Sequence, residues 1–132
     1  MMLPIKNLLE DKYLKITAVV FQIWATVMML IPSSRLPSVD IPYIDKFAHF
    51  GIYALFLLLW AFAFFKTFAE GRWSIWVLFG TLFVYGMVVE FIQGRWVPDR
   101  SFDRMDMLAN LIGLVIGYVV FYIMKPFWSS KK

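Results

Sequence analysis

The chain has 132 residues, 61% hydrophobic and 20% aromatic, with a formal net charge of +4 and no cysteine. Soluble domains are about 45–50% apolar, so this composition excludes an ordinary soluble domain. The absence of cysteine excludes a disulfide framework and a thiolate metal site. The basic residues sit at the ends of apolar blocks, with no run longer than Lys131-Lys132. They therefore carry topology information and give no footprint for nucleic acid.

Four apolar blocks predict four helices. The first runs from about Leu14 to Ile31 and stops at Pro32. It lacks a small-x-small cleavage pattern, so it reads as a retained helix and not as a signal peptide. The second covers about Lys46 to Phe65. The third runs from about Ser74 to Gln93, with Ser74 as N-cap and Gly94 as terminator. The fourth covers about Asp106 to Met124 and ends at Lys125-Pro126. A helix of about 20 apolar residues spans a hydrocarbon core roughly 30 Å thick. The expected fold is an all-α integral membrane protein, a compact bundle of four transmembrane helices forming one domain over residues 1–132.

The cations set the expected orientation. Lys6, Lys12, Lys15, Lys66, Arg72, Lys125, Lys131 and Lys132 fall on the side of the termini; Arg35, Lys46, Arg95, Arg100 and Arg104 fall on the other. The positive-inside rule then places both termini in the cytoplasm. Tyr13, Tyr43, Trp73, Trp76, Trp96 and Trp128 lie near span ends, as an aromatic belt requires.

Polar residues intrude on three spans in a regular way. Asp45, His49 and Tyr53 are four apart on the second helix. Gly86, Glu90 and Gln93 share a face of the third. Asp103, Asp106, Asn110, Gly113 and Gly117 form one stripe on the fourth. By topology all three faces lie in one layer at the outer end, predicting an outward-facing polar pocket among helices two, three and four. Ionisable residues within a span are costly and face the bundle interior or water. Glu90 is accordingly expected to pair with Arg95, Arg100 or Lys46.

Each residue also has a plainer reading. Asp45 and Asp103 fit N-caps, Asp106 fits a first helical turn, and His49 and Tyr53 fit interfacial packing. The arginines fit anchors for the loop, Asn110 an interhelical hydrogen bond, and Gly113-x-x-x-Gly117 a close helix contact. Caps alone do not explain why three helices aim polar faces at one layer.

The segment "DKFAHFGIYALF" resembles the Asp-Lys-x-x-His-x-x-x-Tyr signature of the VanZ-like membrane protein family. "EFIQGRWVPDRSFDRMDMLANLIGLVIG" resembles that family's second signature, which ends in Asp-x-x-x-Asn-x-x-Gly-x-x-x-Gly. The resemblance implies a small, multi-pass protein of the bacterial cytoplasmic (inner) membrane, in a family whose named member is associated with resistance to the glycopeptide teicoplanin. Carried over by position, its characteristic residues are Asp45, Lys46, His49, Tyr53, Glu90, Gln93, Arg100, Ser101, Asp106 and Asn110.

These readings favour a non-enzymatic module over an enzyme. The module would hold an amphipathic envelope ligand: a lipid-linked cell-wall precursor, an anionic lipid or a lipoglycopeptide. Asp45, Lys46, His49, Tyr53, Glu90, Gln93, Arg100, Ser101, Asp103, Asp106 and Asn110 are the candidate ligand-binding residues. The alternative is an intramembrane acid–base enzyme acting on an envelope lipid through His49, Glu90 and Asp106. No cofactor is expected, and one histidine with scattered acids gives a weak metal signal. Transport would need a polar track through the other half of the bundle, where only Gln22 and Thr81 stand out. The expected partners are the lipid bilayer and such a ligand; the layout is compatible with a homo-oligomer.

Overall fold

A computed structural model describes residues 12–35, 44–65, 68, 74–98, 100 and 102–129. Four helices follow one another: α1 (Leu14–Leu30), α2 (Ile44–Ala63), α3 (Ile75–Trp96) and α4 (Arg104–Ser129), with a short 3₁₀ turn at Ser33–Arg35. There is no strand among the described residues. The last three helices are long and apolar enough to cross a membrane. At 17 residues, α1 is a shorter apolar helix of about 26 Å.

The helix ends follow from local chemistry. Ile31 is extended because the proline after it disfavours helical backbone, and α1 stops there. In α2, Asp45 lies in the first turn and complements the positive end of the helix. The α3 N-terminus is closed as expected, with Ser74 Oγ accepting from Trp76 N–H at 3.2 Å. At the α4 N-terminus, Asp103 Oδ1 accepts from Met105 N–H at 2.9 Å.

Two expected ends move. Gly94 does not terminate α3, which continues to Trp96. A Cβ at position 94 would lie 2.7 Å from Phe102 N and 2.8 Å from its Cβ, so this glycine is needed for close approach, not for a turn. Likewise α4 continues through Pro126 to Ser129. A proline three residues from a helix end removes one backbone donor where few turns remain to be broken.

Central α2 packs on the other three helices, and most extensively on α4. Small residues permit that contact. A Cβ on Gly113 would collide with the Phe50 carbonyl oxygen, and one on Gly117 would lie 2.8 Å from that of Ala54. Below this crossing the core is apolar, built from Phe56, Leu57, Phe62, Phe65, Leu82, Leu114 and Phe121. Phe62 and Phe121 meet edge-on at 5.1 Å, as aromatic quadrupoles prefer. Large apolar residues such as Ile23, Val84, Phe91, Val115 and Ile123 are exposed on the outside. In water such a surface would aggregate; in a bilayer it faces lipid.

The fold puts the C-termini of α1 and α3 and the N-termini of α2 and α4 at one end. Every polar stripe read from the sequence converges there.

Candidate functional site

The site is built from α2 and α4, closed from behind by α3. On α2, the four-residue spacing stacks His49 and Tyr53 on the inward face, and both are buried. On α4 the matching inward positions are Asp106 and Asn110. His49 Nδ1 lies 3.0 Å from Asn110 Oδ1. With an amide oxygen as acceptor, Nδ1 is the donor of this bond. Nε2 stands 3.9 Å from Asp106 Oδ2.

Lys46 organises the rim. Its Nζ reaches Asp45 at 3.0 Å, Asp103 at 2.6 Å and Asp106 at 2.8 Å. The contact to Asp106 Oδ1 is an ion pair without a well-aligned hydrogen bond. Asp103, outside the span, is held below the usual carboxylate range by the hydrogen bond from Lys46 and then by the Met105 N–H.

Glu90 departs from expectation. It is 1% exposed, and neither carboxylate oxygen accepts a hydrogen bond from any described residue. None of the cations expected to pair with it does so. Lys46 is committed to three aspartates, Arg95 is exposed, and Arg100 turns elsewhere. Tyr53 is likewise fully buried, and its hydroxyl has no hydrogen-bond partner among the described residues. Glu90 instead shares its space with His49 and Asp106. One potential ligand atom from each lies within 4.8 Å of the others, a set that could hold a metal ion.

Arg100 and Gln93 belong to a different structure. Arg100 donates from Nε and Nη2 to the Ile31 carbonyl at 3.1 and 3.0 Å, and Gln93 Nε2 donates to the Met29 carbonyl. A helix C-terminus leaves its last carbonyls unpaired. These two side chains supply donors to carbonyls that the helix itself leaves unpaired. Ser101 lies outside the described residues.

In front of the polar cluster, an open cleft of about 290 Å³ separates α1 from α2. Its walls are Trp24, Met28, Met29, Ile44, Ala48 and Ile52, with polar groups from Asp45, His49 and Arg100. The polar residues therefore converge among α2, α3 and α4 as expected, but as a buried cluster, and the accessible space opens towards α1. Sequence reasoning missed α1 as a wall. The available signal was its broken end at Ile31-Pro32, whose orphan carbonyls require donors from elsewhere in the chain.

The polar groups deeper in α1 pair internally. Trp60 Nε1 donates to Gln22 Oε1 at 2.7 Å, and Thr26 bonds Tyr85. Thr81 donates to the Val77 carbonyl of its own helix at 2.7 Å. With the apolar core below, the described residues form no continuous polar track through the bundle.

The family model described as VanZ/LLP1 matches residues 4–125, almost the whole chain, and the chain belongs to that family. No curated protein and no solved structure matches it.

Proposed function

We propose that this VanZ-like chain is a binding module for an anionic amphipathic envelope ligand, taken up in the cleft between α1 and α2. The observation that carries the reading is the lining of that cleft: apolar walls suited to an acyl chain, with Arg100 and His49 on the same surface. Ligand sites are mostly apolar with a few placed polar groups. Arg100 uses two donors on Ile31, and that bond holds the guanidinium rigidly at the cleft. A phosphate of a lipid-linked precursor or anionic phospholipid fits this arrangement, as does a lipoglycopeptide. The last would connect the site to the glycopeptide resistance that the family resemblance implies.

The charge distribution supports the location. The five cations of the polar end are matched by Asp40, Asp45, Asp99, Asp103 and Asp106, whereas the opposite side carries the excess of lysine and arginine. In a bacterial cytoplasmic membrane the positive-inside rule favours cytoplasmic termini, an orientation that supports a cleft at the outer leaflet.

Purification in mild detergent followed by mass spectrometry of bound lipids tests the reading. Wild type retains an anionic lipid, and Ala48→Phe, which fills the cleft, loses it. A wild-type protein that retains none, or an equal amount in Ala48→Phe, contradicts it.

One observation favours a second reading as an acid–base enzyme on an envelope lipid: His49, on the cleft wall, also approaches Asp106 and Glu90. Turnover of a lipid that His49→Gln abolishes while leaving lipid retention intact would select it.

A further inference from the structure

Behind the cleft, three carboxylates share one ammonium and a fourth stands without one. Lys46 pairs with Asp45, Asp103 and Asp106, and among the described residues Glu90 has no well-formed hydrogen bond. A buried carboxylate without a partner is strongly disfavoured in a low-dielectric interior. Side chains at such depth within a span have either a counter-charge or a function. Glu90 is not isolated in space, since it stands against a second carboxylate and an imidazole.

We propose that His49, Glu90 and Asp106 form a binding site for a divalent transition-metal ion. Three features point the same way.

The first is the donor set. One ring nitrogen of His49 and one oxygen from each carboxylate lie within 4.8 Å of one another, and Nε2 is 3.9 Å from Asp106 Oδ2. An ion at the centre of such a triangle stands no more than about 2.8 Å from each atom, and closing to the 2.0–2.2 Å of Zn–N and Zn–O bonds takes a shift of about 0.7 Å. Side-chain rotation supplies that much without moving a helix.

The second is the imidazole's orientation. Asn110 Oδ1 accepts a hydrogen bond from Nδ1, which leaves Nε2, 3.9 Å from Asp106 Oδ2, as the nitrogen available to a metal. A ligating histidine is commonly fixed in this way by a carbonyl or carboxylate on its other nitrogen. Asn110 is thus a positioning residue.

The third is the unpartnered Glu90 side chain itself, together with the Tyr53 hydroxyl. A Cβ on Gly86, one helical turn before Glu90, would touch both Tyr53 and Asn110. The hydroxyl therefore lies beside the cluster, where a metal-bound water could use it.

One nitrogen and two carboxylates suit zinc or manganese better than magnesium or calcium, which prefer oxygen alone. Three protein ligands also leave open positions, the pattern of sites that hold water or an anionic group. Because His49 borders the cleft, an anionic head group there would meet the ion. The site itself stands apart from the identity of the cleft's ligand.

The test uses the full chain in mild detergent, stripped with a chelator, then given zinc and passed through a desalting column. Wild type retains about one zinc per chain, Glu90→Gln and His49→Gln lose at least ~100-fold in affinity, and Asn110→Ala weakens binding by ~10–100-fold. Zinc raises the wild-type melting temperature and leaves that of Glu90→Gln unchanged. Failure of wild type to retain zinc or manganese overturns the proposal, as does equal retention by Glu90→Gln. A measurement on unmutated protein guards against variants that do not fold. The infrared band of a protonated buried carboxyl disappears when zinc is added to wild type; its persistence shows that Glu90 holds a proton in place of a metal, and overturns the proposal. No lipid enters this experiment, so its outcome is separate from that of the cleft.

Discussion

The guanidinium of Arg100 closes the end of α1, donating two hydrogen bonds to the carbonyl oxygen of Ile31, 69 residues earlier in the chain. This one contact ties the α3–α4 loop to the first helix and fixes a cation at the edge of the cleft. It joins stability to the proposed binding, and the two can be separated by substitution.

Arg100→Gln removes both charge-assisted bonds and leaves a helix-terminal carbonyl short of a donor. Hydrogen bonds to charged groups contribute about 1.5–3 kcal/mol, so a loss of about 2 kcal/mol is expected in unfolding in detergent. Arg100→Lys keeps the charge but lacks the forked donors, and should recover only part of that stability. If both variants are as stable as wild type, the cap does not act as described.

The α2–α4 crossing should tolerate no side chain at Gly113. An alanine there would drive its Cβ into the Phe50 carbonyl oxygen, and overpacking costs about 1–3 kcal/mol. Gly51 and Gly80 meet nothing within 4 Å and serve as controls. Gly80→Ala should be neutral or stabilising by up to about 1 kcal/mol, through helix propensity. Comparable melting temperatures for Gly113→Ala and Gly80→Ala would refute the close contact.

Lys46→Met strips the only described ammonium from three carboxylates. Breaking a fully buried pair costs about 3–5 kcal/mol; Lys46 is partly exposed, so about 2 kcal/mol is expected. Adding Asp103→Asn to Lys46→Met should restore part of the loss, because one of the carboxylates left without a partner is removed. A double variant less stable than Lys46→Met would contradict the pairing.

Asp103 predicts a pH dependence. Its carboxyl is held below its ordinary value of 3.8 by Lys46 and the Met105 N–H. A depressed folded pKa gives stability that is fully present above the unfolded value and lost as pH falls through the folded one. Melting temperature should therefore drop on acidification below about pH 4, with a shallower drop in Asp103→Asn. Superimposable profiles for the two proteins would remove Asp103 from the account.

The helices and the inward faces could be read from the chain because both are local properties. Block length and four-residue spacing already place His49, Tyr53, Asp106 and Asn110 inside the bundle. Partner choice was not legible in the same way. Glu90 looked destined for Arg100 or Lys46, but Lys46 lies nearer three aspartates at the rim, and Arg100 answers the carbonyls stranded by Pro32. Gln93 shared a face with Glu90 in sequence, yet its amide caps Met29 on α1. Such choices depend on how α1 packs against α3, and no periodicity encodes that. Gly94 illustrates the same limit. A glycine near a helix end suggests a stop, and only the approach of Phe102 reveals it as a contact.

The most direct test of the binding account is photo-crosslinking in native membranes from a benzophenone side chain at Ile52, on the cleft wall. Val115, exposed on the outer face of α4, serves as the reference. The account predicts an adduct at position 52 dominated by one anionic amphiphile, while position 115 reports the composition of the bulk bilayer. The same mixture at both positions, or no adduct at position 52, would contradict it.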